Sequence, residues 1–118
     1  MYDHIGLKTG NLAASSRFYR AALAPLGHQP DASGSGFGPP DAPALWLYEQ
    51  VGTVGGTHVA FRAATRAAVD RFHAQGLANG GRDNGAPGLR LDYAPTYYAA
   101  FLVDPDGNNV EAVCMEAA

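Results

Sequence analysis

His4-Ile5-Gly6-Leu7 returns 54 residues later as His58-Val59-Ala60-Phe61. The same offset pairs Ala13-Ala14 with Ala67-Ala68, Arg17-Phe18 with Arg71-Phe72, Leu23 with Leu77 and Gly27 with Gly81. A repeat of this length is one supersecondary unit used twice. In each copy an alternating run comes first, Tyr2–Lys8 and then Thr57–Arg62, and reads as a strand. A helix follows each. Asn11 caps the first over about residues 12–23, and Thr65 caps the second over about 66–75. In the first strand Ile5 and Leu7 point one way, and His4, Gly6 and Lys8 the other. In the second, Val59 and Phe61 oppose His58, Ala60 and Arg62.

Outside the repeat, Ala44–Gln50 reads as a strand carrying Leu45, Trp46, Leu47 and Tyr48. Pro30 to Pro43 is loop with short strands at most, and Gly52 to Gly56 links the two copies. Gly76 to Pro95 reads as a Gly- and Asn-rich connection with one poor strand around Leu89–Tyr93. Its length suggests a segment able to close over a cleft. Tyr97–Val103 and Asn108–Met115 are strands joined by the turn Asp104-Pro105-Asp106-Gly107. Pairing Asp104 with Gly107 puts Ala100 opposite Glu111. It also puts Tyr98 diagonally beside that carboxylate on the same face. A strand–helix–strands unit occurring twice is an α+β protein, with helices on one face of a mostly antiparallel sheet.

The bulk numbers bound the function. The chain has 118 residues, a net charge of −3, 47% hydrophobic and 16% charged residues, and one cysteine. One globular domain is expected, with a core and no internal disulfide. No basic run recommends nucleic acid, no apolar stretch reaches membrane-spanning length, and no leader pattern opens the chain. A cytoplasmic setting is the default expectation.

The face opposite the helix-packing residues carries His4, Gly6, His58, Ala60 and Glu111, polar or small groups where a solid core would want Leu or Ile. A cleft is expected there. A lone strand histidine is usually structural, but His4 and His58 are equivalent in the repeat. Glu111 interrupts the apolar Val110, Ala112 and Val113, where an unpaired carboxylate is costly. Two imidazoles and one carboxylate form a ligand set for one divalent ion, of Fe, Mn, Zn or Ni type, with open coordination positions. The plainer alternative for Glu111 is an ion pair with Arg62 or Arg90. Tyr98 is the candidate proton donor, and Arg90 the candidate partner for an anionic substrate group. Trp46 and Tyr48 are either core or cleft wall. His28 is placed near a helix end, and His73, Arg17 and Arg71 on helix surfaces. Cys114 is read as buried and inert.

Asp3-His4-Ile5-Gly6-Leu7, Ser16-Arg17-Phe18-Tyr19, Gly56-Thr57-His58-Val59-Ala60-Phe61 and Phe101 through Glu111, with Asp104-Pro105-Asp106-Gly107, together resemble the vicinal oxygen chelate superfamily. That superfamily includes glyoxalase I, bleomycin-resistance proteins, fosfomycin-resistance enzymes and extradiol dioxygenases. The resemblance spans nearly the whole chain. It implies a single domain of two paired βαβββ modules, about residues 1–51 and 56–118, forming a curved mixed sheet around a metal cleft. It implies that His4, His58 and Glu111 match the metal-ligand places, and it favours a homodimer whose sites draw on both chains. Glyoxalase I enzymes usually take a fourth carboxylate from the last strand of the first module. Alignment puts Trp46 there, and Glu49 has the wrong parity, so the pattern is more similar to the fosfomycin-resistance enzymes or the generally longer dioxygenases. The function implied is a metal-dependent enzyme using Lewis acidity on a small molecule with vicinal oxygens. The alternative is a metal-free, drug-sequestering protein of the bleomycin-resistance type.

Overall fold

A computed structural model describes residues 1–118 as two copies of a βαβββ module. The first comprises β1 (Ile5–Thr9), α1 (Leu12–Leu23), β2 (Gln29–Pro30), β3 (Gly36–Gly38) and β4 (Leu45–Glu49). The second comprises β5 (His58–Arg62), α2 (Arg66–Ala78), β6 (Arg82–Leu89), β7 (Tyr98–Val103) and β8 (Asn109–Cys114). The sheets have equivalent strand orders, β1-β4-β3-β2 and β5-β8-β7-β6. In each, the first strand runs parallel to the last and the other pairs are antiparallel. The two sheets do not join into one ladder within the chain. No helix is long and apolar enough to cross a membrane.

The caps fall where the sequence places them. Asn11 accepts from the Ala14 amide and Thr65 from the Ala68 amide, satisfying orphan donors of the first turns. The alternation of β1 and β5 also holds. Leu7 and Thr9 are buried while Gly6 and Lys8 are exposed, and Val59 and Phe61 are half-buried while His58, Ala60 and Arg62 face out. Phe18, Tyr19 and Leu23 of α1 join Val69 and Phe72 of α2 and Leu45, Leu47, Leu102 and Val110 of the sheets in one core. Removing side chains of the size of Phe18 or Phe72 from water contributes about 1.5–3 kcal/mol each.

Two expectations need correction. The second helix runs three residues beyond its expected end, through Gly76. That glycine serves packing rather than termination: a Cβ on it would stand 2.2 Å from Leu102 Cδ1. The segment after it is not a free lid, because Arg82–Leu89 is a paired strand. Its composition hid it, since Gly, Pro, Asn and Asp all disfavour strands. Pro87 is tolerated because β6 is an edge strand, and the ladder shifts register around Gly85 and Gly88.

The β7–β8 turn sets a different register from the one expected. The Gly107 amide donates to the Asp104 carbonyl at 3.1 Å, as in a type I turn. Gly107 then adopts φ 91°, and the Asp104 amide donates to Asn108 rather than pairing with Gly107. This is a type I turn plus a one-residue bulge. The pairing slips by one: Phe101 faces Glu111, Ala100 faces Ala112 and Tyr98 faces Cys114. A slip of one exchanges the faces, so Tyr98 lies on the helix side and Tyr97 shares the face of Glu111.

The same turn binds the two modules together. The buried Asp104 carboxylate accepts from Tyr19 Oη at 2.5 Å, Asn108 Nδ2 at 2.8 Å and the amides of Asp106 and Asn108 at 2.8 and 2.9 Å. Asp106 accepts from the Gly10 amide at 2.9 Å and from Ser15 Oγ at 2.6 Å. Burial pushes the Asp106 carboxyl up, but the Ser15 and Thr9 hydroxyls and the Gly10 amide together hold it below its ordinary value.

Asp106→Ala leaves the Ser15 hydroxyl and the Gly10 amide without this partner and is expected to cost about 1–3 kcal/mol in denaturant unfolding. Because the folded-state pKa is depressed, the Asp106 contribution is present above the ordinary carboxylate range and is lost as pH falls through the lowered value. Wild type should therefore lose part of its margin over Asp106→Ala in acid. A margin independent of pH down to complete protonation would refute the assignment.

Candidate functional site

Glu111 lies on the face of the second sheet turned away from the helices. Its register partners are Ala60 on β5 and Phe101 on β7. Its residue is only 2% exposed, so the carboxylate needs partners. It has two. His58 Nε2 is 3.2 Å from Oε1, and the Tyr97 hydroxyl donates to Oε2. Neither Arg62 nor Arg90 forms an ion pair with it.

The state of His58 follows from its other nitrogen. Nδ1 is 3.0 Å from the Asn109 carbonyl, which can only accept, so Nδ1 carries a proton. A neutral ring then directs the lone pair of Nε2 at a carboxylate oxygen, which is repulsive. Either Nε2 is also protonated, forming an ion pair, or a cation lies between nitrogen and oxygen. The 3.2 Å separation fits either arrangement. Donors bonded at about 2.1 Å to one ion stand roughly 3.0 Å apart at right angles and about 3.4 Å apart at a tetrahedral angle. A ring N–H on a backbone carbonyl is also the usual way a ligating imidazole is held in tautomer and orientation. His58 and Glu111 could thus supply two donors to a divalent ion, and the His58 side chain is half-exposed.

Tyr97 holds the other carboxylate oxygen. Burial, with the hydrogen bond to Glu111 and its charge, pushes the phenol up to about 12. It is therefore a fixed donor at neutral pH. Its ring meets that of Tyr93 edge-on at 5.0 Å. The His58 ring lies nearly parallel to that of Phe101 at 6.5 Å, and the Arg90 guanidinium sits over Phe101 at 5.4 Å.

The other residues singled out by sequence are distributed as follows. His4 precedes β1 on the first module, exposed, with Nδ1 2.7 Å from Asp3 Oδ1. Within one chain no three His, Cys, Asp or Glu side chains come together as a ligand set, so His4 does not meet His58 and Glu111 there. Trp46 pairs with Gly6 as Glu111 pairs with Ala60, so the two occupy equivalent places in the two modules. Trp46 lies over Gly36 and Tyr48 over Gly6, where an added Cβ would meet the rings at 2.5 and 2.7 Å. Both aromatic rings therefore lie on the sheet face away from the core. Glu49 instead accepts from the Leu12 amide at the start of α1.

Tyr98 is turned to α2: its hydroxyl donates to Asp70 at 2.6 Å, and the Arg66 guanidinium lies over its ring at 5.1 Å. Arg90 is engaged with the carbonyls of Ala86 and Gly88 at 2.7 and 3.0 Å. Tyr97 as the partner of Glu111 is what sequence reasoning missed, and the Gly107 bulge is the signal that could have found it. His73 pairs with Asp83 at 2.8 Å. Arg17 reaches across to the end of α2, at Ala78 and Asn79. Cys114 is buried in the core.

Neither a family model nor a curated protein matches the sequence. Solved structures do. A glyoxalase/bleomycin resistance protein from Albidiferax ferrireducens is 30% identical, with a TM-score of 0.80, over 97% of this chain and 98% of that one. A putative glyoxalase from Bacillus halodurans is 26% identical, with a TM-score of 0.70, over 97% and 95%. A glyoxalase/bleomycin resistance protein/dioxygenase family enzyme from Burkholderia phytofirmans is 18% identical, with a TM-score of 0.73, over 97% and 98%, and shows likeness of fold alone.

A double-mutant cycle checks the register at the site. Residues sharing a hydrogen bond couple, whereas separated ones add within about 0.5 kcal/mol. Tyr97→Phe and Glu111→Gln are expected to couple, with Tyr98→Phe and Glu111→Gln additive. The reverse pattern in chemical unfolding would restore the register expected from the sequence.

Proposed function

This chain belongs to the glyoxalase/bleomycin resistance protein/dioxygenase family of the vicinal oxygen chelate superfamily, and within it we propose a metal-dependent enzyme acting on a small molecule with two neighbouring oxygen atoms. The observation that carries this reading is the pairing of a carboxylate-facing Nε2 with an Nδ1 already committed to the Asn109 carbonyl. His58 and Glu111 supply two donors from one chain. His4, equivalent to His58 in the repeat, supplies the third from a second copy in a homodimer. A divalent ion bound there supplies Lewis acidity to adjacent substrate oxygens, at positions left open by three protein ligands.

The chain's own groups have distinct roles in this reading. Tyr97 fixes Glu111 through Oε2 and leaves Oε1 toward His58. Asn109 fixes the imidazole tautomer. Phe101 backs the His58 ring and limits water on that side. Tyr97 holds its proton firmly, so it stabilises charge as a donor and does not act as a base near neutral pH. Tyr98 and Arg90 have no direct role in this reading, since their polar groups are already engaged with Asp70 and with the carbonyls of Ala86 and Gly88.

One observation favours the sequestering alternative. Trp46, not a carboxylate, stands at the place equivalent to Glu111, and the Tyr48 ring is close by, half-exposed. A wall of that kind binds flat ligands without a metal.

Metal content of protein purified without added metal tests the reading. His58→Ala and Glu111→Ala are each expected to abolish stoichiometric metal, and His4→Ala to weaken it by at least tenfold, on the scale of a lost ligand or its support. Mixing His4→Ala chains with Glu111→Ala chains, with subunit exchange verified, should restore metal to a fraction of hybrids. Full retention in Glu111→Ala refutes the metal site. Retention in His4→Ala alone refutes only the shared third ligand.

A further inference from the structure

Arg62 does not form the ion pair with Glu111 that its place on β5 allows, and its charge is left unmatched. It is exposed on the open face of β5 with His58 and Ala60. Ala60 is the register partner of Glu111, and Arg62 stands two residues beyond it, about 7 Å by the strand rise. The guanidinium rests on no aromatic ring. Hydrogen bonds from arginine side chains are those of Arg17 and Arg90 alone. The repeat sharpens the contrast. Lys8, 54 residues earlier, is the counterpart of Arg62, and its ammonium lies over the Tyr48 ring at 4.8 Å. The strands of the second sheet contain two acids, Asp83 and Glu111. Asp83 turns to α2, where it pairs with His73. Glu111 is therefore the one strand acid on the open face, and His58 and Tyr97 already meet it.

We propose that Arg62 selects the substrate at this site: a monocarboxylate whose two neighbouring oxygens reach the ion at His58 and Glu111 while its carboxylate, set apart from them, reaches Arg62. The inference rests on the metal reading above and narrows its substrate class. A guanidinium offers a planar fork of donors that matches a carboxylate with two parallel hydrogen bonds. Its donors are free here, so binding breaks no bond inside the protein. One unmatched cation suits one negative charge. A dianion would bring a surplus charge toward the Glu111 carboxylate, which repels it. The order along β5 also sets a direction. His58, Ala60 and Arg62 follow one another on one face, so the carboxylate lies beyond Glu111 on the side away from the imidazole. Arg62 thus binds substrate without touching the reacting oxygens.

3,4-Dihydroxybenzoate and its uncharged amide, 3,4-dihydroxybenzamide, are the probes. Both carry the same pair of neighbouring hydroxyls, and they differ by one charge across the ring. Each is titrated by calorimetry into the intact chain, zinc-loaded and metal-free. The readout is the ratio of the two affinities in Arg62→Gln against wild type, in which any intrinsic difference in chelation cancels. The wild-type ratio is expected to favour the carboxylate by about tenfold more than the Arg62→Gln ratio, the scale of a hydrogen bond to a charged group. Arg62→Lys should keep part of that preference, because the charge remains, and added salt should shrink it. Arg62 is exposed and without partners, so these variants are expected to fold as the unaltered chain does. A ratio unchanged in Arg62→Gln overturns the proposal. So does the lack of saturable 3,4-dihydroxybenzoate binding by the zinc-loaded chain. The metal reading fails separately, if removing zinc changes neither probe's affinity. A ratio that still depends on Arg62 in the metal-free chain would then uphold the carboxylate site without it.

Discussion

The Asp104 carboxylate is the point on which the two halves of this molecule depend. It is buried, so its charge must be met inside the protein, and four donors meet it. Three of them belong to its own turn and lock the bulged hairpin. The fourth, Tyr19, belongs to the helix of the other module. One side chain thus fixes both the β7–β8 register and the docking of that hairpin on α1. Asp106 repeats the arrangement two residues on, with Gly10 and Ser15 as its partners in the first module. The apolar core supplies most of the favourable free energy, but it is tolerant of small shifts. Hydrogen bonds to a buried charge are not, and they select one arrangement.

The register fixed there reaches the site directly. Because Phe101 and not Ala100 faces Glu111, the carboxylate is flanked by an aromatic wall, and its free oxygen is taken by Tyr97. Because β5 runs parallel to β8, His58 comes beside Asn109 and close to Glu111. The acid and the imidazole are therefore held by the adjacent strands β8 and β5, and the phenol stands one residue before β7.

Much of this was legible in the sequence. The repeat, both caps, the outward faces of β1 and β5, and the burial of Cys114 follow from periodicity and capping chemistry, which are local. Membership of the superfamily was legible in the order and spacing of its motifs. The edge strand β6 was not, because Gly85, Pro87 and Gly88 mask it, and its pairing comes from β7 rather than from propensity. The exchange of Tyr97 for Tyr98 came from one glycine. Asp-Pro-Asp-Gly suits a two-residue turn and a bulged one equally well by composition, and the choice is made by the long-range bonds of Asp104. That His4 and His58 stand apart within one chain was not legible either, since equivalence in a repeat does not say which faces meet.

The equivalence of Trp46 and Glu111 has a consequence for recognition. The chain is built twice on one plan, yet at matching places one half presents an indole and the other an acid. A ligand touching both would find an oily end and an ionic end. Two chemically identical arms of a symmetric guest would then cease to be interchangeable, because one would meet the indole and the other the acid. Duplication gave the scaffold its symmetry, and a single unmatched pair of side chains gives it a sense of direction.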